Sequence, residues 1–116
     1  MAFQIRWTDE ADEQYGKLRE AAREAKKNRA TKKKSKSSKP EGLFKQVAKA
    51  VRQLTTNPRH PSLNCHPYSD LEYPYEPKEK VWEAYAQNDT PGAYRVFWCY
   101  GPQRGWITII AITQHP

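Results

Sequence analysis

Three strand-like runs in the last third of the chain constrain its fold most. They are Lys80-Val81-Trp82-Glu83-Ala84-Tyr85-Ala86, then Gly92-Ala93-Tyr94-Arg95-Val96-Phe97-Trp98-Cys99-Tyr100, then the stretch from Gly105 to Thr113. Asn88-Asp89-Thr90-Pro91-Gly92 breaks the first pair and Gly101-Pro102-Gln103-Arg104-Gly105 the second. β-Branched and aromatic runs between such turn clusters read as an antiparallel meander. Side chains alternate across a strand, so Arg95 shares a face with Phe97 and Cys99, opposite Tyr94, Val96 and Trp98.

The first half supplies layers to cover that meander. Phe3, Ile5 and Trp7 alternate with Gln4 and Arg6, as in a short half-buried strand. Thr8 is placed to cap a helix whose first turn holds Asp9 and Glu10, which complement the helix dipole. Ala11, Tyr15, Leu18, Ala22 and Ala25 recur at helical spacing, and this helix is expected to fade into a Lys-rich connector at about 26–39. Ser38-Lys39-Pro40-Glu41 has the spacing of a capping box with proline near the helix start. Leu43, Phe44, Val47, Ala48, Val51 and Leu54 then form one apolar face, and the helix ends by Asn57-Pro58. Residues 57–79 hold five prolines and read as a long loop without a regular element. The order predicts an α+β fold: a helical hairpin packed on one face of a four-stranded, mainly antiparallel sheet. At 116 residues the whole chain, 1–116, is expected to be one domain.

The net charge of +7 comes from one segment. Between Arg23 and Lys39, nine basic residues face Glu24 alone, which leaves the rest of the chain near neutral. A like-charged block attracts polyanions through counterion release, or serves only as a solvated connector. No apolar run approaches the roughly 20 residues needed to span a bilayer, so no membrane association is expected. The opening residues lack the layout of a signal peptide. Cys65 and Cys99 form no disulfide framework and fit a reducing cytoplasm.

In this order and length the chain resembles the RelE/ParE superfamily of bacterial toxins from toxin–antitoxin operons. The likeness covers residues 1–56 and 80–116. It rests on Ala93-Tyr94-Arg95-Val96-Phe97-Trp98, on the opening Ile5-Arg6-Trp7-Thr8-Asp9-Glu10-Ala11, and on the ending Ile110-Ala111-Ile112-Thr113-Gln114-His115-Pro116. The ending is similar to the YoeB type, in which the last strand runs into His-Tyr; here the final residue is Pro116. The Lys-rich connector and the proline-rich loop are both longer than usual for that family. The resemblance implies a separate antitoxin partner and one of two activities. RelE-type members cleave mRNA in the ribosome, where a 2′-hydroxyl attacks the adjacent phosphate. ParE-type members poison DNA gyrase and lack the nuclease residues. A toxin fold without toxicity is the third reading, because fold does not fix function.

Cleavage by a 2′-hydroxyl needs a cation for the phosphate, a base and an acid. Arg95 suits the first role, since its planar fork can hold two phosphate oxygens; its structural alternative is an ion pair with a carboxylate such as Glu83. His115 is the candidate proton donor or acceptor, with an exposed tail residue as the alternative. Glu83 is the candidate base. Lys32, Lys33, Lys34, Lys36, Lys78 and Lys80 are candidate RNA contacts, against a role in solvation and edge protection. His60, Cys65 and His66 fit no standard zinc spacing, so no metal and no cofactor are expected. Trp82, Trp98 and Trp106 read as core rather than as base-stacking platforms.

Overall fold

Apolar faces at period two in the last three runs, and at helical spacing in 43–54, must bury against each other. The computed structural model shows how, and it describes residues 2–31, 38–88 and 91–114. Strand β1 (Gln4–Trp7) leads into α1 (Asp9–Thr31), then α2 (Lys39–Thr56). A short 3-10 turn (Pro61–Leu63) precedes β2 (His66–Tyr68), and β3 (Val81–Tyr85), β4 (Tyr94–Tyr100) and β5 (Trp106–Gln114) complete the chain. The sheet order is β1-β5-β4-β3-β2, with β1 parallel to β5 and the other pairings antiparallel.

The helical hairpin and the three-stranded meander form as the patterning predicts. The sheet, however, has five strands rather than four. The added strand, His66-Pro67-Tyr68, lies inside the loop expected to carry no regular element. Its proline is tolerated because β2 is an edge strand, where a missing ladder donor faces no neighbour. The basic segment also differs from the expected connector: α1 continues helically through Thr31, and Lys39 already belongs to α2. Lys and Arg are good helix formers, so charge alone does not end the helix. Lys32, Lys33, Lys34, Lys36 and His115 lie outside the described residues.

Both helices cover the sheet face that carries Ala84, Val96, Trp98, Ile107, Ile109 and Ile112, and Ala11, Val47, Ala50 and Leu54 fill the contact. One irregularity sets the register. Phe97 pairs with Ala111 but Trp98 pairs with Ile109, so β5 carries Ile110 as an extra residue. This β-bulge keeps Ile109 and Ile112 under the helices and turns Ile110 to the opposite side. The edge of β5 beyond β1 would otherwise expose backbone groups. There the Thr8 hydroxyl donates to the Ile110 carbonyl at 2.7 Å, and Ile112 N–H donates to Gln14 Oε1 at 2.6 Å. Thr8 Oγ1 also accepts from Ala11 N–H at 3.0 Å, so one residue caps α1 and anchors it to the bulge.

The capping box at α2 doubles as an interhelical clasp. Ser38 N–H donates to Glu41 Oε2 at 2.7 Å, and Ser38 Oγ accepts from Glu41 N–H at 3.4 Å. Arg29 Nε and Nη2, on α1, donate to the two Glu41 oxygens at 3.0 Å each. The Arg29 fork, followed by the Ser38 amide, lowers the Glu41 carboxyl from 4.5 to about 2. A depressed carboxyl contributes stability above its unfolded value and loses it as pH falls. We therefore expect Glu41→Gln to lower the melting temperature near neutrality. The gap to wild type should close between pH 4.5 and about 2 in thermal melts followed by circular dichroism.

Candidate active site

The helices leave the other sheet face to be covered by something else. One end of it is closed by the proline-rich segment. Leu71, Tyr73 and Tyr75 pack on Val81, Cys99 and Ile110. The Tyr73 hydroxyl donates to the Tyr100 carbonyl at 2.8 Å, and the Tyr75 hydroxyl lies 2.7 Å from Thr108 Oγ1. Gly101, at φ +118, makes the turn beneath; a Cβ there would stand 2.7 Å from the Tyr73 hydroxyl. Burial pushes the Cys99 thiol up to about 12 and, with the nearby Glu79 carboxylate, the Tyr73 phenol up to about 12. Neither group ionises near neutrality, so this end of the face is inert packing.

The other end is built of charge. Register aligns His66 on β2 with Glu83 on β3, Glu83 with Phe97 on β4, and Tyr85 with Arg95. Glu83 is only 1% exposed. Its Oε1 lies 2.6 Å from His66 Nε2, and its Oε2 lies 3.5 Å from Arg95 Nε. The guanidinium stacks on the Tyr85 ring, 3.7 Å from the centroid. Arg95 Nη1 donates to the Gln87 carbonyl at 2.7 Å and to the Tyr94 carbonyl at 3.3 Å. Nε is buried without a hydrogen bond, 3.5 Å from Glu83 Oε2. The guanidinium is thus held between a carboxylate, an aromatic ring and two backbone carbonyls.

His66 is the outer member, with a side chain 43% exposed. Its Nδ1 lies 3.1 Å from the Asn64 carbonyl, and its ring meets Tyr85 edge-on at 5.7 Å. The ring thus links the Asn64 carbonyl to the buried Glu83 carboxylate while one edge of it reaches solvent. Tyr68, 4.7 Å from Phe97 between ring centroids, forms the floor beside it. Burial, then the Asp70 and Glu83 carboxylates, push its phenol up.

Of the residues singled out in the sequence, Glu83 and Arg95 meet, and they meet as the ion pair named above as the structural alternative. Lys78 and Lys80 do not join them. Lys80 Nζ sits 5.9 Å from the Trp82 ring centroid on the helix side of the sheet, and Lys78 lines a shallow cleft beside Tyr73. Cys65 and His66 point to opposite faces, and no described group of three or more His, Cys, Asp or Glu is arranged to hold a metal. Cys65 packs with the helix-side core while Cys99 lies under Tyr73, and both are free thiols. Trp98 is core at 1% exposure, and Trp82 is half-buried. The sequence does not reveal His66 as a partner of Glu83, because only strand pairing across 17 residues brings them together. The available signal was the alternation of His66 and Tyr68 around Pro67.

No family model and no curated protein sequence matches the chain. Among solved structures it is similar to a YoeB/ParE toxin from Agrobacterium tumefaciens, at a TM-score of 0.61 and 9% identity. The superposition covers 97% of this chain and 99% of that one. The chain therefore has the fold of the RelE/ParE toxins, two helices on a sheet, with the added edge strand β2 making that sheet five-stranded. No described helix is long and apolar enough to cross a membrane.

A buried ion pair is weak support for a fold, because desolvation offsets much of the attraction. Removing one member leaves the other without its counter-charge. Glu83→Ala is expected to destabilise by about 3–5 kcal/mol in urea unfolding. The double variant Glu83→Leu, Arg95→Met is expected to recover most of that loss.

Proposed function

We propose that the chain is a toxin-type endoribonuclease that cuts mRNA on the ribosome and is held inactive by a separate antitoxin. The observation that carries this reading is the Glu83 carboxylate, 1% exposed and bracketed by His66 and Arg95 on the sheet face opposite the helices. A structural role alone is better filled at such a place by apolar side chains. The three groups are those that 2′-hydroxyl attack requires. Glu83 is the general base that takes the hydroxyl proton. Arg95, clamped on Tyr85, supports the charge developing on the phosphate. His66 supplies a proton to the leaving 5′-oxygen. His115 shares that candidacy from the sequence: the strand that leads to it ends at Gln114, which pairs with Tyr94 beside Arg95. The shared fold supports an antitoxin partner in general terms, and a ribosomal substrate places the protein in the cytoplasm. The Lys-rich block around Lys32–Lys36 supplies sequence-independent attraction to ribosomal RNA in this reading.

The test is primer extension on a translated mRNA, with the purified protein added to a reconstituted translation system. Wild type is expected to make ribosome-dependent cuts. Arg95→Ala and Glu83→Gln should lower the cleavage rate by about 10²–10³-fold, with circular dichroism confirming the fold. His66→Ala and His115→Ala, compared side by side, identify the proton donor as the one whose loss costs more. Cleavage that survives Arg95→Ala in a folded protein would sink the mechanism. Absence of cuts together with inhibition of DNA gyrase supercoiling would replace it with a ParE-type, non-catalytic activity.

A further inference from the structure

A second concavity lies on the opposite side of β2. It has a volume of about 380 Å³ and is walled by Pro58, Arg59, Cys65, Trp82, Trp98 and Tyr100. That is at the lower end of the roughly 300–1,000 Å³ typical of small-molecule pockets. Its wall is a continuous aromatic surface. Trp82 and Trp98 are cross-strand partners whose rings lie 22° from parallel at 6.1 Å, and Tyr100 meets Trp98 edge-on at 4.9 Å. Trp98 carries a buried indole N–H with no hydrogen-bond partner among the described residues. It faces Cys65, where it opposes the upward push that burial gives the thiol. A neutral thiol is a poor acceptor, so this donor is left without a good one.

The rim is cationic. Arg59 is exposed and makes no ion pair among the described residues. Lys80 stands over Trp82 at 5.9 Å. Glu79, which lies 3.3 Å from the Tyr73 hydroxyl, borders an adjoining cleft with Lys80, Trp82 and Tyr100 and is not among the residues that line this cavity. His60 Nδ1 is occupied, accepting from Ser62 N–H at 3.1 Å. Flat aromatic walls, a buried donor and an unpaired cation at the mouth complement a flat ring with edge acceptors joined to an anion.

We propose that this cavity binds a nucleotide, with the base against Trp82 and Tyr100 and the phosphate at Arg59. Base–aromatic stacking tolerates any base, so the site selects for nucleotide chemistry rather than for sequence. The nucleotide can be free or part of an RNA strand, and the inference does not depend on cleavage at Glu83.

The test is ¹⁵N NMR of the intact protein, whose four tryptophans each give an indole N–H signal. Adenosine and uridine, their 5′-monophosphates, and a six-nucleotide RNA are titrated separately. The expected result is a saturable shift of the Trp98 and Trp82 signals, with Trp7 and Trp106 unmoved. Arg59→Ala, at an exposed position, should weaken the monophosphates about tenfold and leave the nucleosides unchanged. Trp82→Leu should weaken all of them by about tenfold. Shifts with monophosphates assign the site to free nucleotides as well as strands; shifts with the six-mer alone assign it to RNA. No saturable shift with any of them overturns the proposal. So does equal binding of N-acetyltryptophanamide, which would make the cavity a seat for a partner's aromatic side chain.

Discussion

A sheet that is apolar on both faces, with one layer of helices, has to find a second cover. The helical hairpin takes Val96, Trp98, Ile109 and Ile112. The proline-rich segment brings Leu71, Tyr73 and Tyr75 over Val81, Cys99 and Ile110. It reaches only one end of the face. At the other end the strands carry Glu83, Arg95, Tyr85 and His66, which contact one another. Charge therefore collects in a buried part of that face, with Glu83 1% and Arg95 8% exposed.

That arrangement depends on register more than on composition. Shifting β3 by one residue would turn Glu83 into the helix-side core and Trp82 out of it. Three devices hold the pairing. The bulge at Ile110 lets β5 serve both faces. Thr8 and Gln14 bind the edge of β5 to α1. Gly101 admits the Tyr73 hydroxyl against the turn after β4. None of these touches the Glu83 cluster, yet each keeps the strands that carry it in line.

The parts of this fold that were readable in the sequence are those with local periodicity. The capping box at Ser38, the apolar face of α2 and the alternation around Arg95 each follow from neighbours a few residues apart. The parts that were not readable arise from contacts between distant segments. β2 is three residues long and carries a proline, so it has no pattern of its own and exists because β3 offers it an edge. The pairing of His66 with Glu83 follows from that edge. In the sequence Arg95 and Glu83 each suit phosphate chemistry, and an ion pair between them is the structural alternative. The structure makes them one cluster, in which a structural and a chemical role are compatible.

The proline-rich segment between α2 and β3 contributes to both sites. Residues 57–79 carry Cys65 just before the edge strand and His66 as its first residue, and the two side chains go to opposite faces. His66 closes the charge cluster on one side, while Cys65 and Arg59 close the aromatic cavity on the other. The same segment then crosses back to seal the far end of the open face with Tyr73 and Tyr75. A shorter loop could join α2 to β3, but it would provide neither His66 nor the cavity wall. The two sites are thus separated by a single edge strand, and both depend on that strand staying paired with β3.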